Sequence, residues 1–164
     1  MCETVKHDES QAPPHALGSC YAYLVENNIL NDLVSLCLPD EPLGILDEFL
    51  RMCTTLVRHI HVPWFLANEG VAHALLQLLR SCNKKQQKPP GLVELVYALC
   101  ARIHQQPDTL RVLVQLGAQL PKERPADRFP LMTCIVRHIT MDGPSGRHMR
   151  TSLVWVMHAL LTLG

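Results

Sequence analysis

Apolar residues recur along this chain at intervals of three and four, the spacing that gathers side chains on one face of an α-helix. The clearest stripe is Leu46, Phe49, Leu50, Cys53, Leu56, Val57 and Ile60, which predicts an amphipathic helix with one buried face. Pro63 disfavours helical backbone at the residue before it, so this helix is expected to stop near His61. Upstream, Tyr21, Leu24 and Val25, then Ile29, Leu30, Leu33, Leu36 and Cys37, keep helical spacing from Ala16 to Leu38, with a break at Asn27-Asn28. The stretch "PDEPLG" (39–44) is a turn in which Asp40 or Glu41 caps the next helix and Pro42 suits its first turn.

Downstream, the same periodicity predicts helices over 71–81, 92–105, 108–116, 129–141 and 147–163. Polar stretches rich in Gly or Pro separate them, at 83–91, 107–108, 117–127 and 141–146. No stretch reads as a strand. Residues 1–14 are polar, end in Pro13-Pro14, and form a disordered lead to a helical segment over 15–164. Three helix ends share a phrase: Val57-Arg58-His59-Ile60, Ala101-Arg102-Ile103-His104 and Val136-Arg137-His138-Ile139. Their arginines are 44 and 35 residues apart, near the roughly 40-residue period of HEAT and armadillo units. The expected fold is therefore all-α, an irregular α-solenoid of HEAT/armadillo-like helix pairs, each burying its apolar face on its neighbours.

Composition supports a folded helical chain: 48% of residues are hydrophobic, 18% charged and only 5% aromatic. The formal net charge is zero, but residues 1–79 carry 3 basic and 10 acidic side chains and residues 80–164 carry 12 and 5. That −7/+7 division can steer partners. It lacks the basic stripe with aromatic platforms that nucleic acid requires. Seven cysteines without a C-x-x-C pair point to reduced thiols in a cytoplasmic setting rather than a disulfide scaffold or zinc ribbon. No apolar run reaches the ~18 residues of a membrane span.

Candidate chemistry is thin. His59 and His61 flank one isoleucine, but on a helix they diverge by about 200°, so a shared metal is not expected. Arg and His in a last turn suit the negative end of the helix dipole instead. Cys53 and Cys134 each precede a VRHI segment, yet no third group is available to orient a Cys/His nucleophile pair. His138, His148 and His158 are ten apart, but Gly143, Pro144 and Gly146 are expected to interrupt any common helix. His73 and His104 are lone histidines beside apolar faces, with structural roles expected. Phosphate-cradle and hydrolase motifs are absent from the sequence. No catalytic, cofactor or metal residue is assigned. The candidate protein-binding surface comprises Lys84, Lys85, Lys88, Arg147 and Arg150, with a plain solvated loop as the alternative for the lysines.

Four segments, in order, carry a family resemblance: "GSCYAYLVENNILNDLVSLCLPDEPLGILDEFLRMCTTLV" (18–57), "FLANEGVAHALLQLLRSC" (65–82), "GLVELVYALCARIHQQPDTL" (91–110) and "FPLMTCIVRHITMDGPSGRHMRTSLVWVM" (129–157). Together they resemble the FTS-and-Hook-interacting protein (FHIP) family, also described as retinoic-acid-induced-like. The D-x-P-x-G turn at Asp40 to Gly44 and the block of Gly143, Gly146 and Arg150 are its most specific parts. Ala72-His73-Ala74 departs from the family's His-x-Pro-like run.

The resemblance covers about residues 18–161 and implies a non-catalytic scaffold without cofactors. It implies as partners a Hook-type dynein adaptor, the ubiquitin-conjugating-enzyme-like FTS protein and a Rab GTPase, with membranes reached only through them. It implies a location in the cytoplasm, on endosomes or other vesicles. Family members are much longer, and "LTLG" falls within a helical pattern, so a fragment truncated at its C-terminus is expected. An unrelated HEAT- or armadillo-like binding module is the alternative.

Overall fold

The computed structural model describes residues 19–62, 65–119 and 128–164. The predicted lead (1–14) and most of the predicted 117–127 loop lie outside the described residues. Among those described, all regular structure is helical: α1 Ser19–Glu26, α2 Ile29–Cys37, α3 Ile45–His59, α4 Glu69–Lys84, α5 Gly91–Gln105, α6 Asp108–Gln119, α7 Pro130–His138 and α8 Gly143–Leu163.

Several boundaries have a local cause. The α1–α2 break falls at Asn27-Asn28, where Asn28 takes a left-handed φ of 55°, a conformation Asn tolerates better than most residues. Ahead of α3, the Asp40 carboxylate accepts hydrogen bonds from Gly44 N and Leu46 N, both at 3.0 Å. Asp40 thus supplies the cap, while Pro42 lies in the preceding turn rather than in the helix. Gly44, at φ 95°, supplies the left-handed residue that the turn needs. Asn68 caps α4 by accepting from Val71 N at 3.1 Å, which starts that helix two residues ahead of the predicted Val71.

Several predicted ends move: α4 runs on to Lys84 rather than 81, α6 to Gln119 rather than 116, and α7 closes at His138 rather than 141. The α3 helix stops at His59, because Ile60 turns extended (φ −86°, ψ 105°) and buries its side chain. The α8 helix starts at Gly143 rather than at 147, with Pro144 in its first turn, where a missing N–H leaves no hydrogen bond unmade.

The predicted α3 stripe is the buried stripe: Leu46, Phe49, Leu50, Cys53, Leu56, Val57 and Ile60 all lie in the core. In α2 the face is rotated, so that Val34 is buried and Leu36 stands 70% exposed. Helices pack chiefly on partners two or three places along the chain: α3 on α5 and α5 on α8, and α2 on α4 and α4 on α6 and α7. The α5 helix is apolar on most of its circumference, with Leu92, Leu95, Val96, Leu99 and Ile103 fully buried. A helix buried on nearly all sides is a central one.

Candidate functional site

The row of α3, α5 and α8 carries the densest set of polar and aromatic contacts. On α3, Arg58 reaches across to Glu94 of α5 at 2.7 Å. The other oxygen of Glu94 lies 3.1 Å from His148 Nδ1 of α8, a contact that becomes an ion pair when the imidazole is protonated. His148 stacks on Tyr97 at 4.2 Å between ring centroids. Tyr97 in turn meets Trp155 at 5.1 Å, Trp155 stacks with His104 at 5.7 Å, and His104 meets His158 edge-on at 5.2 Å. Glu94, Tyr97 and His104 repeat at helical intervals on α5, and His148, Trp155 and His158 do so on α8. The ladder therefore zips these helices along one shared face. His148 and His158 share α8, whereas His138 ends α7, so the break before Gly143 keeps the three histidines off a common helix, as expected.

An open cleft of about 340 Å³ lies beside this row, lined by Arg51, Thr54, Thr55, Arg58, Gly91 and Glu94 among others. Its charges are answered locally. Arg51 pairs with Asp47 at 3.0 Å and Glu48 at 3.4 Å, Arg58 pairs with Glu94, and Asp47 accepts from Gly91 N at 2.7 Å. A cleft whose cations already face carboxylates gives an incoming anion little to gain.

The sequence candidates separate into distinct roles. Lys88 folds its ammonium onto the end of α4, donating to the carbonyls of Cys82 (3.3 Å), Asn83 (2.6 Å) and Lys85. Arg137 of α7 also donates to the Asn83 carbonyl, and the Asn83 amide donates to Pro130 O at 2.8 Å. Burial, and then the Arg137 charge, press the Lys88 pKa below its ordinary value. Lys88 thus caps α4, a role that the spacing of Lys84, Lys85 and Lys88 did not disclose, while Asn83 and Arg137 tie that helix end to α7. Lys84 is exposed and Lys85 half-buried at the same helix end. Arg147 and Arg150 are exposed on the first turns of α8, and Arg150 donates to Ile139 O at 3.0 Å across the α7–α8 corner.

The repeated VRHI phrase ends a helix each time, but its burial does not repeat. His59 is exposed and Ile60 buried, whereas His138 is buried and Ile139 only half-buried. His61 lies beyond α3, where Arg102 of α5 donates to its Nδ1 at 3.0 Å. His73 Nδ1 sits 3.2 Å from Asn31 Oδ1 on α2. Among the described residues, no three His, Cys, Asp or Glu side chains converge on a metal position.

The thiols are shielded. Cys37, Cys53, Cys82, Cys100 and Cys134 are outside any disulfide and buried. Burial pushes Cys82 up to about 11 and Cys100 and Cys134 up to about 12. Cys134 Sγ lies 3.7 Å from His138 Nδ1, but that nitrogen sits 2.8 Å from the Cys134 carbonyl, to which it can only donate. A ring nitrogen carrying that proton cannot take another from the thiol.

The segments that carry the family resemblance build corners. The Asp40–Gly44 turn caps α3, and Gly143, Gly146 and Arg150 form the α7–α8 corner. At that corner a Cβ on Gly146 would fall 1.6 Å from the Met141 carbonyl oxygen. The retinoic acid induced 16-like (RAI16-like) protein family model matches residues 20–161, from the first described helix to the last. The chain belongs to the RAI16-like family. The matched span of this RAI16-like chain takes in both the Asp40–Gly44 turn ahead of α3 and the glycine–Arg block at the α7–α8 corner. No helix among the described residues is long and apolar enough to cross a membrane.

Proposed function

We propose that this RAI16-like chain works as a non-catalytic adaptor of the FTS-and-Hook-interacting protein kind, linking endosomal or vesicle cargo to dynein-based transport. The family match over residues 20–161 is the observation that carries this reading. The packing of each helix on partners two or three places along the chain supports the accompanying fold proposal, a segment of an irregular HEAT/armadillo-like α-solenoid. Such a segment acts by holding several helical faces in fixed relation, so that partners are brought together by geometry and charge.

The proposed partners are a Hook-type coiled-coil adaptor, FTS and a Rab GTPase, all met in the cytoplasm. Membranes are reached through those partners, and no cofactor takes part. Co-purification of the tagged chain from its own cells tests the proposal. Recovery of a Hook-type protein together with FTS supports it. An intact, folded chain that recovers neither overturns it and leaves a helical module with other partners. Rinsing at increasing ionic strength checks the electrostatic part, since docking driven by the −7/+7 charge division weakens as salt shortens the Debye length.

A further inference from the structure

The α8 helix is the longest of the described helices, at 21 residues. Its buried stripe is Gly146, Met149, Ser152, Val156 and Ala159. On the opposite side, Arg147, Arg150, Val154, Met157 and Leu161 are all exposed. Their spacing of three, four, three and four is that of a coiled-coil seam. The three apolar members are well out of the core, with Val154 65%, Met157 49% and Leu161 79% exposed.

We propose that this second face of α8 is a docking seam for an amphipathic helix of another protein. That helix would carry apolar residues against Val154, Met157 and Leu161 and acidic residues against Arg147 and Arg150. The charge pattern selects this occupant. The α8 helix has two arginines on the seam and no Asp or Glu anywhere along its length. A second copy of the chain therefore fits poorly. Parallel pairing sets arginine on arginine, and full antiparallel overlap sets Arg147 and Arg150 on the partner's Leu161 and Met157. Sliding the copies to pair only apolar positions leaves three side chains a side. Even large aromatics bury at most about 250 Å² each, so three aliphatic ones fall short of the roughly 800 Å² per partner of a stable interface. An acidic helix answers both arginines and covers the whole seam. The seam stands whichever complex the chain serves.

The test uses the full chain and two synthetic helical peptides with leucine at a and d positions. One carries Glu, and the other Lys, at the two seam-facing positions of one end. The expected result is binding of the Glu peptide alone. Met157→Asp should weaken that binding at least about tenfold. Arg147→Glu should weaken it too and shift preference toward the Lys peptide. Arg147→Glu is the cleaner charge change, because Arg150 also holds the Ile139 carbonyl. Leu43→Asp, at a 93% exposed position on the α2–α3 turn, should change nothing. Circular dichroism confirms that each variant is folded. Equal binding of both peptides, or full binding by Met157→Asp, overturns the proposal. So does a concentration-dependent dimer that Met157→Asp abolishes, which would make a second copy the occupant. Capture by anionic lipid vesicles in place of either peptide overturns it in favour of a membrane surface.

Discussion

Gly146 sits where no other residue fits, because its Cα faces the Met141 carbonyl oxygen across the α7–α8 corner. Gly146→Ala is expected to force backbone against backbone and lower stability by about 1–3 kcal/mol or more, seen as a lower urea midpoint. Gly44→Ala meets open space, so its expected loss of about 1–2 kcal/mol comes from the left-handed φ of 95° alone. The cysteines make a second prediction at this scale. In the unfolded chain their thiols titrate near 9, whereas burial holds Cys100 and Cys134 protonated up to about 12. Between those values the folded state binds more protons than the unfolded one, so this contribution is complete below pH 9 and is lost as pH rises toward 12. Urea titrations at stepped pH should show that loss, and Cys134→Ala should make it shallower. Alkylation in native buffer at pH 8 should spare both residues and reach them only after unfolding. Rapid native labelling would contradict the burial. The role of Cys as a small core residue was legible in its apolar surroundings. The demand at Gly146 was not, because Met141 meets it only once the corner is folded.

At the scale of the helix, start and stop signals decided most of what could be read in advance. Asn27-Asn28 and Asp40 act where the sequence places them, and the stripe from Leu46 to Ile60 is buried throughout. The start of α8 was hidden, since Gly143-Pro144-Ser145-Gly146 has the composition of a loop while Pro144 sits in a first turn that tolerates it. The lysine cluster shows the converse problem, where local composition pointed outward and one member turned in. The end of α4 depends on Lys88 for three carbonyls and on Arg137 for one of the same three. Lys88→Met keeps the aliphatic stem but removes the donors, and about 1–3 kcal/mol of stability should go with a charged hydrogen-bond donor. Lys84→Met, at an exposed position, should stay within about 0.5 kcal/mol. Thermal denaturation of the two variants side by side gives the comparison. Equal melting temperatures would mean that solvent can replace the Lys88 cap.

Across the whole molecule, the arrangement that matters is the one periodicity cannot report: which helix lies against which. A stripe on α3 says that something covers it, not that the cover is α5, more than thirty residues further along. The repeated VRHI phrase shows the same limit, because His59 faces solvent and His138 faces the core although both close a helix. With α3 and α8 on its flanks, α5 is the helix whose loss removes the most packing, and its Leu99 is fully buried. Leu99→Ala removes atoms from a site with neighbours on all sides and should cost about 2–5 kcal/mol. Leu36→Ala, on the exposed side of α2, should stay within about 0.5 kcal/mol. Because buried side chains of α3, α5 and α8 belong to the same core cluster as those of α2, α4 and α7, the expected unfolding is a single transition. Hydrogen exchange then separates global from local opening. Amides of α5 should exchange last, at the rate set by global unfolding, and those of α1 and α2 earlier through local fraying. Leu99→Ala should speed exchange in α5, α3 and α8 together. Acceleration confined to α5, or protection in α1 equal to that in α5, would mean that the helices open as independent units and that the contacts between non-consecutive helices contribute little to holding the chain together.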